Sequence, residues 1–237
     1  MGAAIQPGKP TDALGAVRTG AWFAQLPDAL QQALLADGTL RRLVTGETLF
    51  ARGDAFDGLY CVVSGTVQID ASGESGKAAL LGLLEPGTWF GEICLFDGLP
   101  RTHDARAVSA TTLLHVPRTR LEHLLAGQPA WWREFGRLLA NKTRQAFDFV
   151  EEAQLLPPAA RTARRLAAIA HGYGNFPEQG PVGVRTVRIP QEQLAQMLGL
   201  SRQTVNHALR ELEARGLLRL RYGGIDLVDL PALESLH

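Results

Sequence analysis

The strongest constraint on how this chain can fold is the punctuation of its first half. Between Leu40 and Val116, short apolar runs recur about every ten residues, each closed by turn-forming residues. Thr48-Leu49-Phe50, Gly58 to Val63, Thr66 to Ile69, Ala78 to Leu84, Thr88-Trp89-Phe90 and Thr111 to Val116 are predicted strands. Gly46, Gly53-Asp54, Ser64-Gly65, Ser72-Gly73, Gly76 and Pro86-Gly87 are the predicted turns between them. Such a rhythm is expected to give an antiparallel barrel or sandwich of jelly-roll type.

One stretch interrupts the rhythm with helical character. From Phe90 to Ala107 it reads Phe-Gly-Glu-Ile-Cys-Leu-Phe-Asp-Gly-Leu-Pro-Arg-Thr-His-Asp-Ala-Arg-Ala, with Glu92 and Arg101 nine residues apart across a short apolar segment. Gly91 has no Cβ and lets a ligand approach the backbone. Glu92 can accept from a sugar hydroxyl, Arg101 can grip phosphate oxygens with its planar fork, and Thr102 can add a hydroxyl to the same anion. A helix starting near Glu92 would aim N–H groups at that charge. A glutamate and an arginine in a turn between strands can equally be a surface ion pair. The whole string resembles the phosphate-binding cassette of cyclic-nucleotide-binding domains. The resemblance implies that Gly91, Glu92, Ile93, Arg101 and Thr102 bind the effector, with Glu92 on the ribose 2′-hydroxyl and Arg101 with Thr102 on the cyclic phosphate. His103 stands where that family has a small residue.

Before the strands, residues 1–20 are rich in Gly, Ala and Pro without periodicity and are expected to form a mobile arm. Helical spacing then follows from Ala21 to Ala36, with Pro27-Asp28 starting a second short helix. After the strands come a short predicted helix, Arg118 to Ala126, and a long one, Pro129 to Leu156. In the long helix Phe135, Leu139, Lys142, Ala146, Phe149, Ala153 and Leu156 follow spacings of four and three. That heptad seam predicts a two-stranded coiled coil and hence a homodimer, the alternative being packing on the chain's own barrel. Lys142 is out of place in such a seam and would set register or reach a ligand. Gln154 to Ala160, with Pro157-Pro158, is expected to break the helix as a hinge.

Beyond the hinge, Arg161 to Ala170 reads as a basic amphipathic helix, His171 to Gly183 as a loop and Val184 to Ile189 as a short strand. Gln191 to Arg210 then carries a second strong pattern. Small Ala195, then Gly199, then Val205 sit among apolar Leu194, Leu198, Leu200 and Ala208. Two helices crossing at a tight turn need this: a small residue at the contact, glycine at the reversal and apolar faces between. Ser201 caps the second helix. Ser201, Arg202, Gln203, Thr204, Asn206 and His207 are the candidate DNA-binding residues, suited to base edges and phosphates. Leu217 to Arg221 and Ile225 to Val228, joined at Gly223-Gly224, form the predicted wing.

Cassette, long helix and winged helix-turn-helix together resemble the CRP/FNR family of bacterial transcription regulators. That predicts an α+β architecture: an N-terminal antiparallel β jelly roll over residues 21–128, a dimerisation helix over 129–156 and a winged helix-turn-helix domain over 157–237. In the cyclic-AMP receptor of that family the residues after the capping serine read Arg-Glu-Thr-Val; here Arg202 matches and Gln203 replaces the glutamate. Where that receptor contacts adenine with a Thr-Ser pair, this chain aligns Ala146 and Phe147. Phosphate and ribose capture look retained, adenine recognition does not. Implied partners are a double-stranded DNA operator, a second copy of the chain and RNA polymerase. Cyclic AMP or cyclic GMP is the candidate effector; a different effector, none, or a nucleotide-binding module without DNA affinity are the alternatives.

Charge and cysteines narrow the rest. The 24 basic residues balance 24 acidic ones, so a DNA-binding surface must be local. The two cysteines, Cys61 and Cys94, sit inside apolar runs and read as small buried hydrophobes. Metal-spaced histidine clusters, a nucleophile elbow and an NTPase phosphate loop are all missing from the sequence, so an enzyme is not expected. Nor is there an apolar run of about 18 residues or a leader pattern, so a soluble cytoplasmic protein is expected.

Overall fold

A computed structural model of the protein describes residues 14–72, 78–172 and 185–237. Two four-stranded antiparallel sheets form the first half, built from β1 (Thr39–Leu43), β2 (Thr48–Phe50), β3 (Gly58–Ser64), β4 (Val67–Ser72), β5 (Ala78–Leu84), β6 (Trp89–Phe90), β7 (Asp104–Ala107) and β8 (Thr111–Pro117). Their orders are β1-β8-β3-β6 and β2-β7-β4-β5. The run in β3 is apolar at nearly every position because the strand is covered on both sides. Tyr60 and Val62 face the second sheet and meet Phe50, Val67, Phe90 and Ala105. Leu59, Cys61 and Val63 face helices and meet Phe23, Leu30, Leu121 and Phe135.

Those helices are α1 (Gly15–Thr19), α2 (Ala21–Ala24), α3 (Asp28–Asp37), α5 (Arg118–Gly127) and the start of α6 (Trp132–Leu155), while α4 (Ile93–Asp97) lies in the cassette. The expected mobile arm is corrected over its last turn. Gly15–Thr19 is helical and Val17 is fully buried in the core, the rest of the arm lying outside the described residues. Close approach of two glycines allows this docking: a Cβ on Gly20 would sit 2.3 Å from the carbonyl oxygen of Gly87. Aromatic rings complete the seat, with Phe23 stacked on Trp89 at 5.7 Å and Trp22 edge-on to it at 5.4 Å.

Helix α6 has 24 residues and is about 36 Å long. The residues of its expected seam fall on more than one face of the helix. Phe135 is buried in the barrel core, Lys142 turns to the cassette, and Phe149 packs under Arg165 of the following helix. Leu139, Ala146 and Ala153 flank a different stripe, Ala140, Thr143, Phe147 and Val150, in which Phe147 is 69% exposed and Val150 49%. Leu156 packs instead against the C-terminal core. The hinge is also shorter than expected. Only Leu156 and Pro157 separate α6 from α7 (Pro158–Ala170), because a proline is tolerated at the first position of a helix and forces an extended residue before it.

The C-terminal half places α8 (Gln191–Leu198) and α9 (Arg202–Ala214) against α7, beside a three-stranded sheet of β9 (Arg185–Val187), β10 (Leu218–Arg221) and β11 (Gly224–Leu227) in the order β10-β11-β9. Gly199 turns between α8 and α9 with φ of 62°, a conformation costly for other residues. Val205 and Leu209 are fully buried and Ala195 nearly so, as the helix crossing requires. A last helix, α10 (Leu230–Glu234), is capped by Asp229, which accepts from Ala232 N at 3.0 Å. The loop expected from His171 to Gly183 lies mostly outside the described residues. Leu80 of the β4–β5 hairpin is buried in the same cluster as Met197 of α8, so the two halves share a core.

Candidate functional site

The five cassette residues come together around one cavity of about 560 Å³. Strand β6 delivers Phe90, and Gly91 turns the chain with φ of 95°. A Cβ there would lie 2.6 Å from Arg101 Nη1, so the position needs glycine on two grounds. Ile93 opens α4 at the cavity wall, and Thr102 is exposed beside it. The Thr102 hydroxyl and His103 Nδ1 are 2.8 Å apart, which brings the unexpected histidine into the lining. Burial, with the nearby Arg52 charge, lowers the pKa of His103 against the opposing pull of Asp104, favouring neutral imidazole.

Arg101 is 3% exposed and held on several sides. Nη2 donates to the Asp57 carboxylate and, at 2.7 Å, to the carbonyl of Gly58; Nη1 donates to the carbonyl of Gly91 at 3.2 Å. The Phe50 ring lies 4.3 Å from the guanidinium carbon and Phe56 5.0 Å, so aromatic faces add attraction from the barrel side. Its Nε is buried and has no hydrogen-bond partner among the described residues, an arrangement that costs about 1–3 kcal/mol. Asp57 also accepts from the Tyr60 hydroxyl, and Tyr60 stacks on His115 at 4.5 Å. Burial would raise the Asp57 pKa, but the Tyr60 hydrogen bond and the Arg101 hydrogen bond and charge outweigh it, and the net direction is down. Tyr60 is pushed up, first by burial and then by Asp57. Both cysteines are buried thiols with raised pKa values, for which burial is the leading cause.

Glu92 is 2% exposed and takes Lys142 Nζ at 2.8 Å; the same ammonium donates to the carbonyl of Trp89 at 2.7 Å. The lysine that disturbs the heptad pattern thus ties the long helix to the cassette. Ala146 lines the cavity, whereas Phe147 points away into solvent. Sequence reasoning missed Asp57, which lies in the turn before β3 and only folding brings to Arg101. It also missed Arg165 and Met197, which close the cavity from the C-terminal half.

The second candidate surface is the start of α9. Ser201 Oγ accepts from Thr204 N at 3.1 Å, and the two hydroxyl oxygens are 2.7 Å apart. Arg202, Gln203, His207 and Arg210 are exposed on the same helix. Asn206 is half-buried and donates to Gln191 Oε1 at 3.1 Å, so it braces α8 as well as bordering the exposed face. In the wing, Glu213 accepts from Leu220 N at 2.7 Å, Arg221 pairs with Asp226, and Tyr222 at the tip is fully exposed.

A barrel with a cassette-lined cavity, joined by a long helix to a winged helix-turn-helix, defines an effector-controlled DNA-binding regulator. Sequence comparison places a cyclic nucleotide-binding domain at residues 40–128 and a Crp-like helix-turn-helix domain at residues 160–236. The chain is 33% identical to the "CRP-like cAMP-activated global transcriptional regulator" of Mycobacterium tuberculosis, over 78% of this chain and 81% of that protein. It is 30% identical to the "Cyclic AMP receptor protein" of Thermus thermophilus, over 81% and 84% of the two chains. Among solved structures, FixK2 from Bradyrhizobium japonicum has the same fold, with a TM-score of 0.72, 22% identity and coverage of 84% of this chain and 96% of FixK2. A CRP/FNR-family regulator from Thermus thermophilus gives 0.64 at 26% identity, over 83% and 97%. The chain belongs to the CRP/FNR family of transcription regulators.

Proposed function

We propose that the protein acts as a homodimer whose barrel cavity takes a cyclic nucleotide, and that occupancy sets its affinity for a two-half-site operator. The observation that carries the effector reading is the buried Arg101 Nε, a donor without an acceptor among the described residues, at a cavity of about 560 Å³. A cyclic phosphate supplies that acceptor, and it competes with Asp57 for the guanidinium. The sugar hydroxyl would meet Glu92, whose ammonium partner sits on α6, so binding is felt by the long helix. The activation by cyclic AMP named for the Mycobacterium relative agrees with this chemistry.

Dimerisation would bury the exposed stripe of Ala140, Thr143, Phe147 and Val150 on α6 against its copy. Two recognition helices would then meet half-sites roughly 34 Å apart, with Arg202 on a guanine and Gln203 on an adenine. A ligand shifts this arrangement only as far as it prefers one state over another. RNA polymerase is a further expected partner and the cytoplasm the expected compartment; among the described residues no helix is long and apolar enough to cross a membrane. The protein is read as a regulator without enzymatic activity.

Isothermal titration of the full-length protein with cyclic AMP and with cyclic GMP tests the effector reading. Saturable heat with one of them, lost in Arg101→Ala, is the expected result. Heat that persists in that variant, or no heat with either nucleotide, contradicts it.

A further inference from the structure

His103 follows Thr102 directly, is half-buried, and lines the effector cavity with it. Its Nδ1 stands 2.8 Å from the Thr102 hydroxyl oxygen, so one hydrogen lies between the two atoms. A threonine hydroxyl has one proton to give, and a neutral imidazole carries a proton on only one of its two nitrogens. With the imidazole proton on Nε2, the shared hydrogen is the hydroxyl's own, and Thr102 presents only lone pairs to the cavity. With a proton on Nδ1, the imidazole is the donor and the hydroxyl proton is free for a guest. Burial first, and then Arg52 in the turn after β2, lower the pKa of His103 against the pull of Asp104 in β7, so the ring of the free protein is neutral near neutral pH. The cations on the cavity lining are already engaged. Arg101 holds Asp57, Lys142 holds Glu92 at 2.8 Å, Arg137 holds Glu134 at 3.2 Å, and Arg165 lies over the Phe149 ring on the C-terminal wall. An arriving phosphate monoanion therefore meets an arginine whose charge Asp57 offsets and a hydroxyl whose proton His103 occupies.

We propose that His103 is a positioning residue for the effector's phosphate: it takes up a proton as the phosphate binds, and its Nδ1–H then leaves the Thr102 hydroxyl free to donate to that phosphate. The proposal rests on the cyclic-nucleotide reading given above and adds a proton to it. In balance, one proton passes from solvent to the imidazole, the Thr102 hydroxyl exchanges an acceptor on His103 for one on the phosphate, and no bond to phosphorus forms or breaks. The imidazolium also brings the positive charge that the Asp57 carboxylate offsets at Arg101. An imidazole whose pKa a bound anion raises gives affinity that is complete below the free-protein pKa and is lost as pH rises through the bound-state pKa. A cyclic phosphate stays a monoanion over that range, so the proton belongs to the protein. A small side chain at this place would leave the Thr102 hydroxyl free at every pH, and binding would take up no proton there. One other imidazole stands near the guanidinium: His115, whose Nε2 is 4.0 Å from the Asp57 carboxylate and whose ring stacks on Tyr60. Variants at position 103 separate the two histidines.

The test is calorimetric titration of the full-length protein with cyclic AMP and with cyclic GMP between about pH 6 and about pH 8, the range over which imidazole titrates. Wild type, His103→Ser and His103→Gln are each run in phosphate-free buffers of low and of high ionisation enthalpy, and the dependence of the heat on buffer counts the protons taken up. With the nucleotide it binds, wild type should take up about half a proton or more near neutral pH, and its affinity should fall about fivefold or more across the range. In both variants the uptake should drop to about a fifth of the wild-type value or less, with affinity flat to within about twofold. A purely structural role for His103 would instead lower affinity alike at every pH. Binding by wild type without proton uptake overturns the role of His103 while the cyclic-nucleotide reading stands. Uptake that survives in both variants places the proton elsewhere, at His115 first, and overturns it equally. Binding of neither nucleotide by wild type overturns both readings. Should one variant fail to fold by circular dichroism, the other decides the matter.

Discussion

Replacing Lys142 with methionine should destabilise the protein out of proportion to the loss of one surface-facing cation. The ammonium is 31% exposed, but the Glu92 carboxylate it neutralises is 2% exposed and cannot recruit bulk water once its partner is gone. Breaking a buried pair from one side costs about 3–5 kcal/mol, and the partial access on the lysine side points to the lower end, about 3 kcal/mol. For a chain of this size that corresponds to a fall in melting temperature of about 6–12 °C. Glu92→Gln should cost only about 1 kcal/mol, since Lys142 can turn towards water. The double variant, with both charges removed, should return to within about 1 kcal/mol of wild type. Urea denaturation followed by circular dichroism gives all four corners of the cycle without screening the charges, as guanidinium would. A Lys142→Met variant within about 0.5 kcal/mol of wild type, or a double variant no better than that single one, would show that the pair does not hold helix α6 to the cassette.

Four further outcomes follow from the geometry. The folded-state pKa of Asp57 is depressed, so its contribution to stability is complete above the unfolded value near 3.8 and is lost as pH falls through the lower folded value; urea midpoints measured down that range should drop, and less steeply in Asp57→Asn. Gly91→Ala should cost about 1–3 kcal/mol by thermal melting, because both the positive φ and the Arg101 contact must give way. Phe147→Glu should shift the protein to a monomer in sedimentation equilibrium without lowering its melting temperature at high dilution; an unchanged dimer would place the seam elsewhere. Arg202→Ala should weaken operator binding by about 1–3 kcal/mol and reduce the operator-to-scrambled ratio in gel-shift titrations, and an unchanged ratio would remove that residue from base reading.

The cassette could be read from sequence because its chemistry is local: a glycine, an acid and an arginine with proline before it lie on one short segment, and the fold brings them to one cavity. The partner Asp57 could not, since nothing marks it until the turn before β3 folds against Arg101, 44 residues along the chain. Strands β1 and β7 escaped notice for a different reason. Their sequences, Thr-Leu-Arg-Arg-Leu and Asp-Ala-Arg-Ala, bury few or only small side chains, so the apolar alternation that reveals a strand is weak. On α6 the period was legible, but not which of its stripes the barrel covers. A helix with apolar residues on two neighbouring stripes gives one periodic signal, and only the barrel's hold on Phe135 and Leu138 shows which stripe is already covered.

The shared burial of Leu80 and Met197 has a consequence for anyone cutting the molecule in two. A fragment that ends at the break before Pro158 would carry the β4–β5 hairpin into water with greasy side chains uncovered, and the complementary fragment would bare the first helix of its reading head. Each piece would then be prone to clump, so poor behaviour of a truncated form would report a missing neighbour and not a faulty domain.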